Sequence, residues 1–427
     1  RRRPQPQADS PVLAVSVSPA PTSVGVTDPT MATTVADIVA AHPKVFTEPT
    51  TLPDRPGMVP MRIDLKPGAS LPHPRSCRVP HKQLAILTEW VAKALAKGWI
   101  QPQLSPVAEP VFLVPKPTAG QFRVVQDFRR INQITADIAQ SASRNINEMH
   151  DRLATAHWLS ACDLRDGFYQ LRLDPRDRYL TGFVVDGVQY CWNVASMGLQ
   201  YAPLYFQREV DRILRDASLL NDVKLSTLLP HMDAATRARW TTPGALPDTV
   251  PVGPSAIPEP GLTVGHLAPH VDDIIAATDF EDPGLHQALL RAMLSVLAAA
   301  DVYLKLPKCQ LMCREVDFLG FTVGNGQLRP NADKLSALRD WPIPTSVSTL
   351  RSFLGYVNYF RRHIPGCSEL ARCLHRRTNK GVPFIWALEQ QQAFDQLIAM
   401  LQRQPCLQLP RYDRPFVVVS DASTTGV

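Results

Sequence analysis

Two adjacent carboxylates, Asp272 and Asp273, sit between apolar runs in the segment Leu267-Ala268-Pro269-His270-Val271-Asp272-Asp273-Ile274-Ile275-Ala276-Ala277. Like charges side by side repel, and Asp is a poor strand former, so the pair resists placement inside a buried strand. A hairpin tip accommodates it. A divalent metal ion is one reason to keep both charges there; a plain turn, for which Asp is a common residue, is the other. A third acid, Asp163, ends another strand-like run, Trp158-Leu159-Ser160-Ala161-Cys162-Asp163. Converging carboxylates that hold two metal ions are the usual equipment of nucleotidyl transfer.

A chain of 427 residues suggests two to four domains. Its 45 basic and 39 acidic residues leave a net charge of +6, which permits a polyanionic partner without demanding one. Eight cysteines are scattered with no Cys-x-x-Cys pair, so neither a zinc knuckle nor a disulfide framework is predicted. Reduced thiols in a cytosolic or nuclear protein fit that usage. The most apolar stretch, Ala288 to Leu304, is broken by Arg291 and Asp301 and reads as a helix of a soluble domain, so no membrane partner is expected. The first residue is Arg1, which suggests a fragment of a longer product, and no secretory signal is seen.

Residues 1–35, rich in Pro, Ser, Thr, Val and Ala, read as disordered, and 36–80 as an N-terminal extension. Leu84, Leu87, Val91 and Leu95 recur at helical spacing, predicting a helix from Pro80 to Ile100 with Gly98 as its stop signal. Val111–Val114 and Gln121–Val125 flank a Pro/Gly turn and predict a hairpin. A second is predicted around Asp186-Gly187, between Phe183–Val185 and Val188–Trp192. Pro203 to Leu214 reads as a helix, and Phe318–Val323 with the strand after Asn325-Gly326 as a third hairpin. Mixed periods without a repeat argue for an α+β fold with antiparallel sheets. Residues 219–265 carry seven prolines and read as an irregular insertion, either a tolerated surface segment or foreign sequence.

The acids stand in an ordered series of blocks. These are Ser105-Pro106, Val114-Pro115-Lys116, Arg123-Val124-Val125-Gln126-Asp127-Phe128-Arg129, Asp163-Leu164-Arg165-Asp166-Gly167-Phe168-Tyr169-Gln170, Ser196-Met197-Gly198-Leu199-Gln200-Tyr201-Ala202-Pro203 with Phe206-Gln207, Val271-Asp272-Asp273, Leu304-Lys305-Leu306-Pro307-Lys308-Cys309 and Phe318-Leu319-Gly320-Phe321. The series resembles the reverse transcriptase of gypsy-type LTR retrotransposons and, more distantly, of retroviruses. Further on, Trp341-Pro342-Ile343-Pro344, Leu350–Tyr356 and Tyr359-Phe360-Arg361-Arg362 resemble the connection region of such elements. Phe416–Ser423, with Asp421, resembles the first strand of an RNase H domain.

The resemblance implies a right-hand polymerase, with fingers and palm in 81–328, thumb and connection in 329–410, and a truncated RNase H-like start in 411–427. It implies RNA-directed DNA synthesis on an RNA template from a DNA or RNA primer with dNTPs, in company with other pol polyprotein segments. Asp163, Asp272 and Asp273 would hold two Mg²⁺ ions, with Mn²⁺ as a substitute, Asp273 less directly than the others. One ion would lower the pKa of the primer 3′-hydroxyl and the other would neutralise charge on the leaving pyrophosphate. Lys116 and Arg123 would grip the triphosphate, and Lys308 would meet it or the pyrophosphate. Phe168 would exclude a ribose 2′-hydroxyl, while Gly198 and Gln200 would lie under template and nucleotide. His270, where the family has Tyr, and Phe318, Leu319 and Gly320 would face the primer. Asp421 would be a vestige of an RNase H site lacking its later carboxylates, so no RNA cleavage is expected. Cytoplasmic particles with nuclear access are the implied location. The alternative is a catalytically dead remnant that at most binds nucleic acid. It is favoured by His270, the insertion and the missing RNase H half.

Overall fold

The strand Trp158–Asp163 buries every residue but its last, as a continuous apolar run should. It lies inside a six-stranded sheet described here from a computed structural model, which covers residues 26–52, 54–75, 79–115, 122–138, 145–242, 259–336, 338, 341–403 and 407–408. The sheet order is Val26–Thr27, Gln310–Cys313, Trp158–Asp163, Asp273–Thr278, Thr263–His270 and Asn221–Lys224. All its pairings are antiparallel except that of Val26–Thr27 with Gln310–Cys313.

The period-two alternation of strands sorts its side chains into two cores. Trp158, Cys162, Ile274 and Ala276 face a large core shared with the helices Pro283–Ala299 and Ala202–Asp216. Leu159, Ala161, Ile275 and Ala277 face a second core with Phe318, Phe321, Val323 and the helix Val347–Tyr359. The helix Ala202–Asp216 turns Phe206, Val210, Ile213 and Leu214 inward at helical spacing and presents polar residues outward. Three smaller antiparallel sheets complete the described fold: the pair Val111–Pro115 with Phe122–Gln126, three strands around Val188–Trp192, and four from Glu315–Phe318 to Leu407–Gln408. The α+β expectation holds. Asp186 and Gly187 both have positive φ (49° and 77°), as the tight turn predicted between their strands requires.

Several expectations are corrected. The helix after Pro80 spans His81–Ala96, and Ile100 already begins a strand, because Gly98 (φ 72°) reverses the chain. Phe318–Val323 is not one strand. Leu319 and Gly320, with φ of 47° and 78°, make a two-residue turn that sets Phe318 opposite Phe321, so two hairpins form where one was expected. Order begins inside the stretch read as disordered. Val26–Thr27 pairs with the central sheet, and the helix Ala32–Ala41 buries Val35 and Ile38.

The reading of 219–265 as irregular fails for its described part. Asn221–Lys224 is the edge strand of the central sheet, and Leu225–Leu228 and Ala234–Thr241 are helical. Trp240 is buried and its Nε1 donates to Asp282 at 2.9 Å, while Arg239 pairs with the same carboxylate. Gly284 is needed there, since a Cβ on it would meet Thr236 Oγ1 at 2.1 Å. Five of the seven prolines fall in 243–258, outside the described residues. Among the described residues no helix is long and apolar enough to cross a membrane.

Candidate active site

His270 pairs with Asp273, which leaves only Val271 and Asp272 at the tip of the central hairpin. Val271 has φ of 53°. That left-handed conformation costs a β-branched residue on the order of 1–3 kcal/mol and persists only where neighbours enforce it. Gln207 is the enforcing neighbour. Its Oε1 accepts the Val271 N–H at 2.6 Å, and its Nε2 donates to the Pro269 carbonyl at 3.1 Å and to Asp211 Oδ1 at 2.8 Å. One side chain of the helix Ala202–Asp216 thus straps the tip to the body of the sheet.

Strand register brings the third acid to the same end. Asp163 lies opposite Asp273, the Leu164 N–H donates to the Asp272 carbonyl at 2.7 Å, and the Lys305 N–H donates to the Asp163 carbonyl at 2.9 Å. Close approach depends on Gly167. A Cβ there would stand 2.4 Å from Asp272 Oδ1 and 2.9 Å from the Phe206 ring.

The electrostatics follow from this crowding. Burial, reinforced by the charges of Asp163 and Asp273, pushes the Asp272 carboxyl up to about 6. Burial and Asp163 raise Asp273 as well. Asp272 Oδ1 is buried and accepts no hydrogen bond. Lys308 Nζ lies 2.7 Å from Asp163 Oδ2 and supplies a positive charge. A buried carboxylate oxygen without a donor, beside two further acids, is costly unless a cation joins it. The residues therefore fit a hard divalent ion. Among the described residues no three His, Cys, Asp or Glu side chains form a complete metal-binding group. The donor set matches an ion held by one or two carboxylates and completed by phosphate and water oxygens, as Mg²⁺ often is.

Phe168 is half-buried in the short turn Gly167–Gln170 and packs edge-on against Phe206 at 5.9 Å. Gly198 and Gln200 are exposed just before the helix Ala202–Asp216; Gly198 has φ of 98°. Asn132 ties the two together, donating to the Gly198 carbonyl at 2.8 Å and accepting the Gln200 N–H at 3.0 Å. Arg123 is exposed on its hairpin opposite Val114, close enough for its charge to act on the Tyr169 hydroxyl. Lys116 and Asp421 lie outside the described residues.

His270 is half-buried at the hairpin. Phe318 is a core residue, 2% exposed, so its ring faces the second core; Leu319 and Gly320 form the turn beside it. The Tyr359 hydroxyl donates to the Leu319 carbonyl and ties that turn to the helix Val347–Tyr359. Sequence reasoning assigned no role to Gln207, Gly167 or Asn132. The first two stood inside the motif blocks, but nothing in the sequence placed Gln207 against Val271.

Residues 114–240 match the family described as reverse transcriptase (RNA-dependent DNA polymerase), and residues 386–427 match the RNase H-like domain found in reverse transcriptase. The first match contains Asp163, Phe168, Gly198 and Gln200, covers 219–240, and stops short of Asp272. The chain is 30% identical over 346 residues to the retrovirus-related Pol polyprotein from transposon 297 of Drosophila melanogaster, covering 79% of this chain and 28% of that protein. It is 28% identical over 386 residues to the Gag-Pol polyprotein of Gibbon ape leukemia virus, covering 87% and 20%. The chain thus spans less than a third of either relative. The foamy viral protease-reverse transcriptase solved with dsDNA superposes with a TM-score of 0.68 at 20% identity, covering 91% of this chain and 71% of that one. The same enzyme with an RNA/DNA hybrid gives 0.65 at 20% identity, covering 88% and 44%. At that identity the likeness is one of fold. The chain carries a reverse transcriptase domain followed by RNase H-like sequence on a polymerase fold, and it is similar to Pol polyproteins of transposons and retroviruses.

Proposed function

We propose that this chain is the RNA-directed DNA polymerase of a gypsy-type LTR retrotransposon, adding dNTPs to a primer 3′-hydroxyl along an RNA template. The observation that carries the reading is the convergence of Asp163, Asp272 and Asp273 at one sheet end, with a buried Asp272 oxygen left for a cation. Asp163 and Asp272 would hold Mg²⁺, or Mn²⁺ in its place, with Asp273 supporting them. Bound there, the metal supplies charge neutralisation and a more acidic primer hydroxyl.

The chain's own residues do the rest. Gln207 holds the strained tip so that Asp272 presents one geometry. Lys308 balances Asp163 and is placed to meet triphosphate oxygens. Arg123 offers a bidentate guanidinium, with Lys116 as its expected companion, for the same phosphates. Phe168, braced by Phe206, limits the space at the sugar 2′ position. Gly198 and Gln200, pinned by Asn132, form an exposed ledge for template and nucleotide. His270 and the Leu319-Gly320 turn flank the primer side. Foamy viral enzymes solved with RNA/DNA hybrid and dsDNA support nucleic acid as the partner here. Similarity to Pol polyproteins supports other Pol segments as further partners.

The test is primer extension on a poly-rA template with the purified chain and Mg²⁺, beside Asp272→Asn. Metal-dependent extension that the substitution abolishes is expected. No extension, or an Asp272→Asn chain as active as the wild type, would reject the reading in favour of a non-catalytic remnant.

A further inference from the structure

We propose that Cys162 and Cys309 form a redox-convertible dithiol beneath the carboxylate site, a modification site whose disulfide form slows synthesis.

Cys162 directly precedes Asp163, and Cys309 directly follows Lys308, the partner of Asp163. Gln310 pairs with Ala161 in antiparallel register, so Cys309 falls opposite Cys162. Directly opposed residues of antiparallel strands have Cα atoms about 4.5–5.5 Å apart, inside the roughly 4.4–6.8 Å that a disulfide spans. The Cys309 N–H bonds to Leu306 instead of to the facing strand. Both side chains are buried in the same large core, and the Cys309 thiol donates to the Lys305 carbonyl at 3.5 Å. Both are free in this structure.

Cys162 is 2% and Cys309 0% exposed, so oxidation requires local opening. The place for that is the single turn Leu306–Lys308, whose Pro307 and Lys308 are exposed. Short exposed turns open far more readily than the whole fold. A small-molecule disulfide such as oxidised glutathione is the oxidant. One protein sulfur attacks it, forming a mixed disulfide and releasing one glutathione. The second protein sulfur attacks the mixed disulfide and releases the other. The protein loses two electrons and two protons, and the oxidant becomes two thiols. Drawing the two sulfurs to a bond length of about 2 Å pulls the segments that bear Asp163 and Lys308 toward each other.

The cross-link stands on geometry alone; its effect on synthesis rests on the polymerase reading. The purified full chain is incubated with oxidised glutathione and mapped by mass spectrometry without reduction. A peptide joining Cys162 to Cys309, two hydrogens lighter than the sum of its parts and absent from Cys309→Ala, is expected. Magnesium-dependent extension should fall about tenfold to hundredfold in the cross-linked fraction, recover with dithiothreitol, and stay constant in Cys309→Ala. If the more exposed Cys367 and Cys373 are fully oxidised while Cys162 and Cys309 remain alkylatable thiols, the proposal is overturned. A cross-linked chain that extends at the reduced rate overturns the switch. A reduced chain with no extension overturns the polymerase reading instead, and the mapping still decides the site.

Discussion

Gly167→Ala probes the site with one added carbon. The new Cβ would stand 2.4 Å from Asp272 Oδ1, and such contacts essentially never fall under 3.0 Å, so the carboxylate must retreat by about 0.6 Å or the turn must shift. The Phe206 ring, 2.9 Å away, closes the alternative direction. Overpacking of this kind costs about 1–3 kcal/mol of stability. A misplacement of about 1 Å in a reacting constellation costs roughly a hundredfold in rate, so a loss of about tenfold or more is expected at 0.6 Å. The assay is single-turnover primer extension at saturating dNTP and Mg²⁺, with thermal unfolding measured in parallel. Gly355→Ala, on an exposed helical position with nothing within 4 Å, serves as the control and should leave both unchanged or slightly raise stability. Wild-type extension by a normally folded Gly167→Ala chain would show that Asp272 does not work from the position the hairpin gives it.

Gln207→Leu removes the acceptor of the Val271 N–H at similar size. The strained tip should relax and extension should fall about tenfold or more while the melting temperature drops only modestly; equal rates would show that the strap is dispensable. The core carries an acid sensor in His286, fully buried between Ser160 Oγ at 2.8 Å and Thr278 Oγ1 at 3.1 Å, whose burial depresses it to about 3. Its folded value lies below the unfolded 6.5, so the unfolded chain binds the extra proton first. Stability should therefore fall as pH drops below 6.5, by about 2 kcal/mol at pH 5 from this group. Denaturant unfolding of His286→Gln should show a shallower slope between pH 7 and 5, and an unchanged slope would refute the assignment.

Much of this site was legible before any coordinates. Asp163 closes an unbroken apolar run, and Asp272-Asp273 interrupts another, because charge cannot continue a buried strand; that alone placed the acids at strand ends. The hairpins around Asp186-Gly187 and at Val111–Gln126 were local too, written in turn residues and alternation. The failures were of another kind. Residues 221–241 looked irregular because the prolines that follow them, from Pro243 to Pro260, dominated the signal of the whole stretch, yet Trp240 and Thr236 are ordered by a helix N-terminus some forty positions away. Val26–Thr27 looked disordered because two strand residues gain their stability only from the partner strand at Gln310.

Residue types, their spacing and the turn chemistry determined which acids were available, which strands would carry them and what family they resemble. That Asp163 meets Asp273, that Gln207 reaches Val271, that Gly167 leaves room for one carboxylate oxygen and that Cys309 faces Cys162 were decided only by tertiary structure. Register and close approach depend on how two buried faces pack together, and no local stretch of chain contains that information.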